Sequence, residues 1–412
     1  MTAAAGISDP ELSLYHLLED EVRANPYPLY NRLRNEDPVH WDPYLHAWVV
    51  TRYADAVHVL QHFRAQRMPT PQQLEAKDLA ELNPIAEVMM RQMIFMDPPS
   101  HTRIRALAAA AFTPARVEKL RAHIQEVTDG FIDRVAPAGH MDVIADLADV
   151  LPATVTAELM GVPAGDRDRL KVLSLRFSEM LGNFQHNPGR SSAMLETVAE
   201  MSAYFYERLQ QQHSQPREGV VRDIMQAEIE GERLSEAEIV ANCIITLTGG
   251  LETTTNLIGN GLLSLLRNPR EFSTLAENPA LLPSAIEELL RFESPIQQTA
   301  RLAPRDLTLG GKEVREGDAL IAVLGAANRD PERFPDPDRL DLARADNRHL
   351  AFGWGPHYCF GAPLARVEAQ IAFRTIFRRL GNLALAPIYL RWRNNTTFRG
   401  LEELPVTFDA VV

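Results

Sequence analysis

One predicted helix constrains the fold more than any other feature of the sequence. It begins at a capping box, Ser235-Glu-Ala-Glu238, in which the serine and the glutamate three residues later satisfy each other's backbone amides. The helix can continue to Asn268-Pro269, a length of about 48 Å at 1.5 Å per residue. Its middle reads Thr248-Gly-Gly-Leu-Glu-Thr-Thr-Thr-Asn256. Each glycine costs a helix interior roughly 1 kcal/mol relative to alanine, and threonine hydroxyls can bond back to the preceding turn. So many unfavourable residues in one place indicate a compensating purpose.

A second unusual stretch surrounds one of the two cysteines in the chain. Residues 352–366 read Phe-Gly-Trp-Gly-Pro-His-Tyr-Cys-Phe-Gly-Ala-Pro-Leu-Ala-Arg. Three glycines surround Cys359, namely Gly353, Gly355 and Gly361. Glycine allows tight or left-handed turns, so backbone amides can be wrapped around the sulfur. Together with the N-terminus of a helix that begins near Ala362, these amides would stabilise a thiolate, which is a metal ligand or a nucleophile.

The spacing argues against two uses of this sulfur. A zinc site needs three or four Cys, His or carboxylate ligands, and no second cysteine is near. A catalytic nucleophile needs a histidine and an orienting third group, and His357 is poorly placed for that role. The pattern Phe-Gly-x-Gly-x-His-x-Cys-x-Gly-x-x-Leu-Ala-Arg resembles the haem-ligand loop of the cytochrome P450 family, whose thiolate donates electron density to iron and favours O–O cleavage. The alternative is a buried structural cysteine, which a motif of this length argues against.

The resemblance extends to the middle of the long helix. Gly249 and Gly250 would remove side chains where a flat cofactor and dioxygen approach the backbone, and Thr253 lies on the same face as Gly249. Alanine is commoner in the family at position 249. Glu252 and Thr253 match the family's acid–alcohol pair, in which the alcohol hydrogen-bonds the bound oxygen and the acid helps to deliver protons through water. A kinked core helix with satisfied threonines is the alternative.

The resemblance also assigns residues to the cofactor that it implies, haem b (iron protoporphyrin IX). Cys359 would be the metal ligand, and four side chains would hold the propionates: His101, Arg105, Arg301 and His357. His101 and Arg105 share a helix face, so a solvated polar face is the alternative for that pair. Further contacts with the cofactor are expected from Gly249, Phe352, Gly353 and Gly361.

A structural motif lies between the long helix and the cysteine loop. Glu288 and Arg291 form a Glu-x-x-Arg pair on one helix face, which is a weak signal in isolation. Because Pro331-Glu-Arg333-Phe334 follows, the segment resembles the structural core of the family. The resemblance implies that Glu288, Arg291 and Arg333 stabilise the fold and retain haem.

The helix after Cys359 carries four arginines, Arg366, Arg374, Arg378 and Arg379. They either complement the helix dipole or dock an acidic redox partner.

Composition limits the class of protein. Lys and Arg number 42 and Asp and Glu 55, a net charge of −13 that works against nucleic acid or an anionic membrane as the main partner. The two cysteines fit a reducing cytoplasm, and neither an export signal nor an apolar run of transmembrane length is present in the sequence. No linker or repeat divides the chain. We therefore expect one domain, residues 1–412, mainly α, with the triangular helical prism and small β-sheets that the P450 resemblance implies.

The order of motifs is similar to that of soluble, bacterial-type P450 monooxygenases. Such enzymes insert one oxygen atom of O2 into an organic substrate, as in hydroxylation or epoxidation, with electrons from a separate ferredoxin or flavodoxin and its NAD(P)H-dependent reductase. Candidate pocket residues are Met93, Ile245, Thr248 and Gln297, which predict a mostly apolar substrate with polar groups, such as a polyketide or terpenoid of secondary metabolism. A peroxide-using peroxygenase of the same fold is an alternative, although that type typically lacks the acid–alcohol pair. A non-enzymatic haem-thiolate sensor is another.

Overall fold

A computed structural model describes residues 11–109, 112–183, 188–216, 218–226, 228 and 233–410. Helices dominate these ranges. The α-helices are α1 (Asp20–Ala24), α2 (Tyr27–Glu36), α3 (Tyr53–His62), α4 (Pro71–Glu75), α5 (Asn83–Met90), α6 (Ser100–Ala109), α7 (Pro114–Val135), α8 (Val150–Leu159), α9 (Arg167–Asn183), α10 (Ser191–Ser214), α11 (Val220–Gln226), α12 (Glu236–Leu266), α13 (Pro269–Glu277), α14 (Leu282–Phe292), α15 (Leu324–Ala327) and α16 (Ala362–Arg379).

The strands form three small sheets within the described ranges. They are β1 (Val39–Asp42), β2 (Ala47–Val50), β3 (His140–Asp142), β4 (Gln298–Leu302), β5 (Leu307–Leu309), β6 (Lys312–Val314), β7 (Ala319–Val323), β8 (Leu380–Leu385) and β9 (Pro405–Ala410). The sheet orders are β1-β2-β7-β4, β3-β9-β8 and β5-β6. Among these described strands, only β2 and β7 pair in parallel, and β4 runs antiparallel to β7 with Arg301 opposite Leu320. The prediction of a mainly helical fold with small sheets is confirmed.

The predicted long helix is α12, and it runs through the core. It has 31 residues, about 46 Å at 1.5 Å per residue. The predicted capping box is present, since the Ser235 hydroxyl accepts from the Glu238 amide and the Glu238 carboxylate accepts from the Ser235 amide. Most side chains of α12 are buried, and α8, α9, α10, α14 and α16 all pack against it. A helix that is apolar nearly all round must be covered on every side, which makes α12 the centre of the molecule.

The Glu-x-x-Arg motif forms a fully buried ion pair in α14. Nε and Nη2 of Arg291 donate to the two carboxylate oxygens of Glu288 at 2.8 Å each. Nη1 of Arg291 donates to the carbonyls of Asn328 and Pro337 at 2.9 and 2.8 Å. The pair is therefore satisfied on all sides, as a buried charge pair must be to stabilise a fold, and it fastens α14 to the segment before the cysteine loop.

We expected Arg333 to stabilise the fold with Glu288 and Arg291, and that role stays a prediction, but among the described residues Arg333 does not join this pair. Arg344 does so instead, with its Nε 3.1 Å from Oε2 of Glu288. The chain turns at Asp330, whose carbonyl accepts from the Arg333 amide. The Arg333 side chain consequently lies near the surface, where it pairs with Asp346 at 2.8 Å.

In the described ranges, no helix combines the length and the apolar character needed to cross a bilayer. The prediction that residues 1–412 form one domain stays a prediction.

Candidate active site

The cysteine loop turns sharply at two of its three glycines. Gly353 and Gly355 have φ angles of +74° and +68°, a left-handed conformation that strains any residue with a Cβ. Gly361 differs, since its φ of −79° is open to any residue and it is the N-cap of α16. The expectation of a special turn is therefore wrong for Gly361. A Cβ at that position would stand 3.8 Å from the sulfur of Cys359, so this glycine keeps the surroundings of the sulfur open.

The loop places opposing influences on the thiol of Cys359. Burial raises the pKa of the thiol, whereas the amides of Gly361 and Ala362 and the charges of Arg105 and Arg366 lower it. The balance is a pKa above the ordinary value, so the loop by itself does not make the thiolate that we expected. A coordinated metal ion deprotonates a thiol outright, and the amides then stabilise the sulfur that the metal holds.

A cavity of about 780 Å³ opens beside this sulfur. Predicted residues that line it are Arg105, Gly249, Thr253, Arg301, Phe352, Gly353, His357, Cys359 and Gly361. His101 lies directly behind His357, with 4.1 Å between the ring centroids. The fold thus brings together, around one space, residues that are scattered over more than 250 positions of the sequence.

Cations collect at this cavity without matching acids. Within the described residues, none of the guanidiniums of Arg67, Arg105 and Arg301 has a carboxylate in ion-pair contact. Burial lowers the pKa of Arg67 to about 9 and that of Arg301 to about 10, while burial and the surrounding cations lower the pKa of His357 to about 3. His357 is therefore neutral at pH 7. Buried cations without partners are costly, so this site fits a ligand that carries carboxylates.

Haem meets these requirements. Its iron prefers a soft sulfur donor such as Cys359, and its two propionates carry the missing negative charge. Two buried nitrogens near the cations, Nε2 of His101 and Nε of Arg301, have no hydrogen-bond partner in the described part of the chain. The residues present therefore fit the cofactor.

The two adjacent glycines of α12 have different surroundings. Apart from the neighbouring residues of its own helix, no heavy atom of the described residues lies within 4 Å of a Cβ built on Gly249, so the helix backbone is open to the cavity there, as predicted. A Cβ built on Gly250 would stand 2.7 Å from Oγ1 of Thr156 in α8. Gly250 also lines the cavity, so its expected part in making room for the cofactor stays a prediction, and the close approach of α8 is a second constraint on this position.

Thr253 and Glu252 leave α12 in different directions. The hydroxyl of Thr253 lines the cavity and donates to the carbonyl of Gly249 at 2.6 Å. Glu252 is buried away from the cavity lining, and its Oε1 lies 3.9 Å from Nη1 of Arg393. Burial raises the pKa of Glu252 to about 7. A carboxyl with that pKa exchanges protons readily near neutral pH.

A line of charged side chains connects Glu252 with the surface. Nη2 of Arg393 donates to Asp149 at 3.1 Å, and the second oxygen of Asp149 lies 3.4 Å from Nζ of Lys171. Sequence reasoning missed these partners. No short-range signal marks them, because Asp149 and Arg393 are 244 residues apart in the chain.

Three of the four predicted pocket residues line the cavity: Met93, Ile245 and Thr248. The prediction for Gln297 is wrong. Its Nε2 donates to the Ser294 carbonyl at 2.7 Å, and its Oε1 packs where a side chain on Gly325 would be. Gln298, the next residue, lines the cavity instead. Gln297 precedes β4, and the hydrogen bond to the Ser294 carbonyl holds its side chain away from the cavity.

Comparisons with known proteins agree with this geometry. The family model for cytochrome P450 matches residues 47–382. The biotin biosynthesis cytochrome P450 of Bacillus subtilis (strain 168) is 37% identical over 392 residues, which cover 94% of this chain and 98% of that protein. The polyketide biosynthesis cytochrome P450 PksS of the same organism is 33% identical over 407 residues, 96% of this chain and 99% of that protein.

A solved structure shares the fold. The myxobacterial cytochrome P450 CYP267B1 in complex with myristic acid matches with a TM-score of 0.87 and 37% identity, over 95% of this chain and 98% of that one. The chain therefore belongs to the cytochrome P450 family. It has the P450 fold, and it is a haem-containing monooxygenase that uses O2 and a small organic substrate.

Proposed function

We propose that Cys359 would ligate the iron of haem b and that His101, Arg105, Arg301 and His357 would hold its propionates. The observation that carries this proposal is that one cavity is lined both by the cysteine sulfur and by guanidiniums with no carboxylate partner among the described residues. When bound, the haem supplies the activation of dioxygen.

The first test is the absorption difference spectrum of the reduced protein with and without carbon monoxide. We expect a strongly red-shifted Soret band in the wild type and its loss in Cys359→Ser. Absence of any haem band in folded, haem-supplied wild-type protein would contradict the assignment.

We further propose that Glu252 and Thr253 supply protons. The hydroxyl of Thr253 donates to the Gly249 carbonyl, which leaves its oxygen free to accept a hydrogen bond from the cavity side. Glu252 takes up and releases a proton at its carboxylate near neutral pH, because burial raises its pKa to about 7. Lys171, Asp149 and Arg393 form a polar line from the surface to Glu252, and we propose that water along it carries the proton, since the guanidinium of Arg393 itself stays protonated.

Thr253→Ala separates this proton role from a structural one. We expect unchanged haem binding but more of the reducing equivalents released as hydrogen peroxide, since the hydroxyl that steers protons is gone. The matched control is Thr255→Ala, because the Thr255 hydroxyl bonds the Ala148 carbonyl at 2.9 Å and that residue does not line the cavity. A normal product yield per NAD(P)H in Thr253→Ala would argue against the role.

Electrons are proposed to come from a separate ferredoxin or flavodoxin. Of the four arginines on α16, three are held by acids of the chain: Arg366 by Glu287, Arg378 by Asp129 and Arg379 by Asp133. Arg374 is exposed and has no ion pair among the described residues. We therefore expect Arg374→Glu to slow reduction by an acidic partner at low salt more than Arg378→Glu does. Equal rates in both variants and the wild type would remove α16 from the docking surface.

The substrate is proposed to be a mostly apolar molecule of secondary metabolism. The cavity lining is rich in Met, Leu, Ile and Phe and includes a few polar groups, such as Gln298 and Thr246. The similar proteins are named for biotin and polyketide biosynthesis, and one is seen with myristic acid. A screen of polyketides, terpenoids and fatty acids for a shift of the haem spin state tests this class. Binding of none of them would contradict it.

A further inference from the structure

One guanidinium in the cavity, that of Arg67, belongs to no motif of the sequence and has not yet been assigned a ligand of its own. The backbone that carries it is firmly held. Arg64 exchanges two hydrogen bonds with Leu302, each 2.9 Å long, and the amides of Ala65 and Gln66 donate to the carboxylate of Asp97 at 2.8 and 3.2 Å. The position of Arg67 next to the strand of Arg301 is therefore built into the fold.

The side chain of Arg67 is oriented as well. Its guanidinium carbon lies 4.5 Å from the ring centroid of Phe95, and Nη1 donates to the Ala65 carbonyl at 3.0 Å. Arginine has five N–H donors, and within the described residues no other partner of this guanidinium is found. The cation–π contact fixes the plane of the group while most of its donors stay available to the cavity that Arg67 lines.

No carboxylate of the described chain is in ion-pair contact with Arg67. Asp97 attracts both Arg67 and Arg301, but its two oxygens are occupied by backbone amides. Burial and the nearby charge of Arg301 lower the pKa of Arg67 to about 9, so the group is still charged at neutral pH. Arg67 and Arg301 thus carry two positive charges beside one described carboxylate, that of Asp97, so a second anion is needed to balance them.

We propose that Arg67 binds a carboxylate that the bound ligands bring into the cavity. Guanidinium and carboxylate form paired, charge-assisted hydrogen bonds, which is the strongest interaction open to this side chain. Two sources carry that chemistry, a propionate of the haem and the acid group of a substrate. Arg67, Arg105 and Arg301 carry three positive charges. Asp97 and the two propionates carry three negative charges, so the site would be neutral without a substrate acid, and this balance favours a propionate as the partner of Arg67. The inference rests on the proposed haem site.

The test compares Arg67→Gln and Arg67→Lys with Arg64→Gln in the haem-loaded protein. Arg64 is the matched control, because it is on the same segment but exposed, where it bonds Pro304 and Glu316. Three quantities are measured: the rate of haem transfer to apomyoglobin, the reduction potential, and the affinities for myristate and methyl myristate from the spin-state shift. The carbon monoxide spectrum of each variant reports separately on thiolate ligation, so failure of the haem assignment is distinguishable from failure of the Arg67 assignment.

If the partner is a propionate, Arg67→Gln loses haem about tenfold faster and has a lower reduction potential, since loss of a nearby positive charge favours the oxidised state. Arg67→Lys keeps the charge, so its potential stays near that of the wild type. If the partner is a substrate acid, haem loss is unchanged and a preference for myristate over its ester falls about tenfold. Either result supports the assignment of Arg67. Wild-type values of all three quantities in Arg67→Gln would overturn it.

Discussion

Replacing Gly250 by alanine tests how α8 packs against the central helix. The new Cβ would stand 2.7 Å from Oγ1 and 2.9 Å from Cγ2 of Thr156, well inside contact distance. Overpacking of this kind costs about 1–3 kcal/mol, and the better helix propensity of alanine returns about 1 kcal/mol. Gly249→Ala is the matched control, since it gains the same propensity next to open space. We therefore expect Gly249→Ala to exceed Gly250→Ala in free energy of unfolding by about 1–3 kcal/mol.

A double-mutant cycle assigns this difference to one contact. Thr156→Ala removes Oγ1 and Cγ2 and leaves its Cβ 3.4 Å from the new methyl group, at the edge of ordinary contact. The pair Gly250→Ala with Thr156→Ala should recover most of the lost stability, as a coupling of about 1–3 kcal/mol. The assay is unfolding in guanidinium chloride, followed by circular dichroism and Soret absorbance. Equal stability of the two alanine variants, or no rescue by Thr156→Ala, would refute the packing argument.

Three further predictions follow from buried charged groups and a buried thiol. Arg344→Ala should cost about 3 kcal/mol of folding free energy, because it removes a partner of the buried Glu288. Arg333→Ala near the surface should cost about 1 kcal/mol or less. Chemical denaturation and the haem content of each variant distinguish the two. Burial raises the pKa of Glu252 from 4.5 to about 7, so the folded state binds this proton more tightly and stability falls as pH rises through that range. In Glu252→Gln this fall should be absent, so between pH 5 and pH 8 the free energy of unfolding of the variant should rise by about 2–3 kcal/mol relative to that of the wild type. Parallel profiles of unfolding free energy against pH would contradict this. Burial raises the pKa of Cys243 to about 12, so N-ethylmaleimide at neutral pH should leave it unlabelled in the native protein, as checked by mass spectrometry.

The acid–alcohol pair shows how far local sequence can be followed. The adjacent positions of Glu252 and Thr253 predicted one functional unit, yet the structure directs one side chain to the cavity and the other to Arg393. Neighbouring residues on a helix point in directions about 100° apart, so adjacency in sequence is compatible with two different environments. The sequence identifies the pair, and the packing of α9 and the C-terminal segment sets the pKa of the acid.

The sequence by itself determined the features that depend on near neighbours. The capping box of α12, the left-handed glycines beside Cys359 and the pair Glu288–Arg291 each arise from residues three to six positions apart, where backbone geometry leaves little choice. Only the tertiary structure decided which side chains meet from distant segments. It placed Arg344 rather than Arg333 on Glu288, 56 positions away, since a contact at that separation depends on the path of the intervening chain. The same holds for Gln298 in place of Gln297, for the approach of Thr156 to Gly250 and for Arg67 in the cavity, because their partners are supplied by the packing of whole elements.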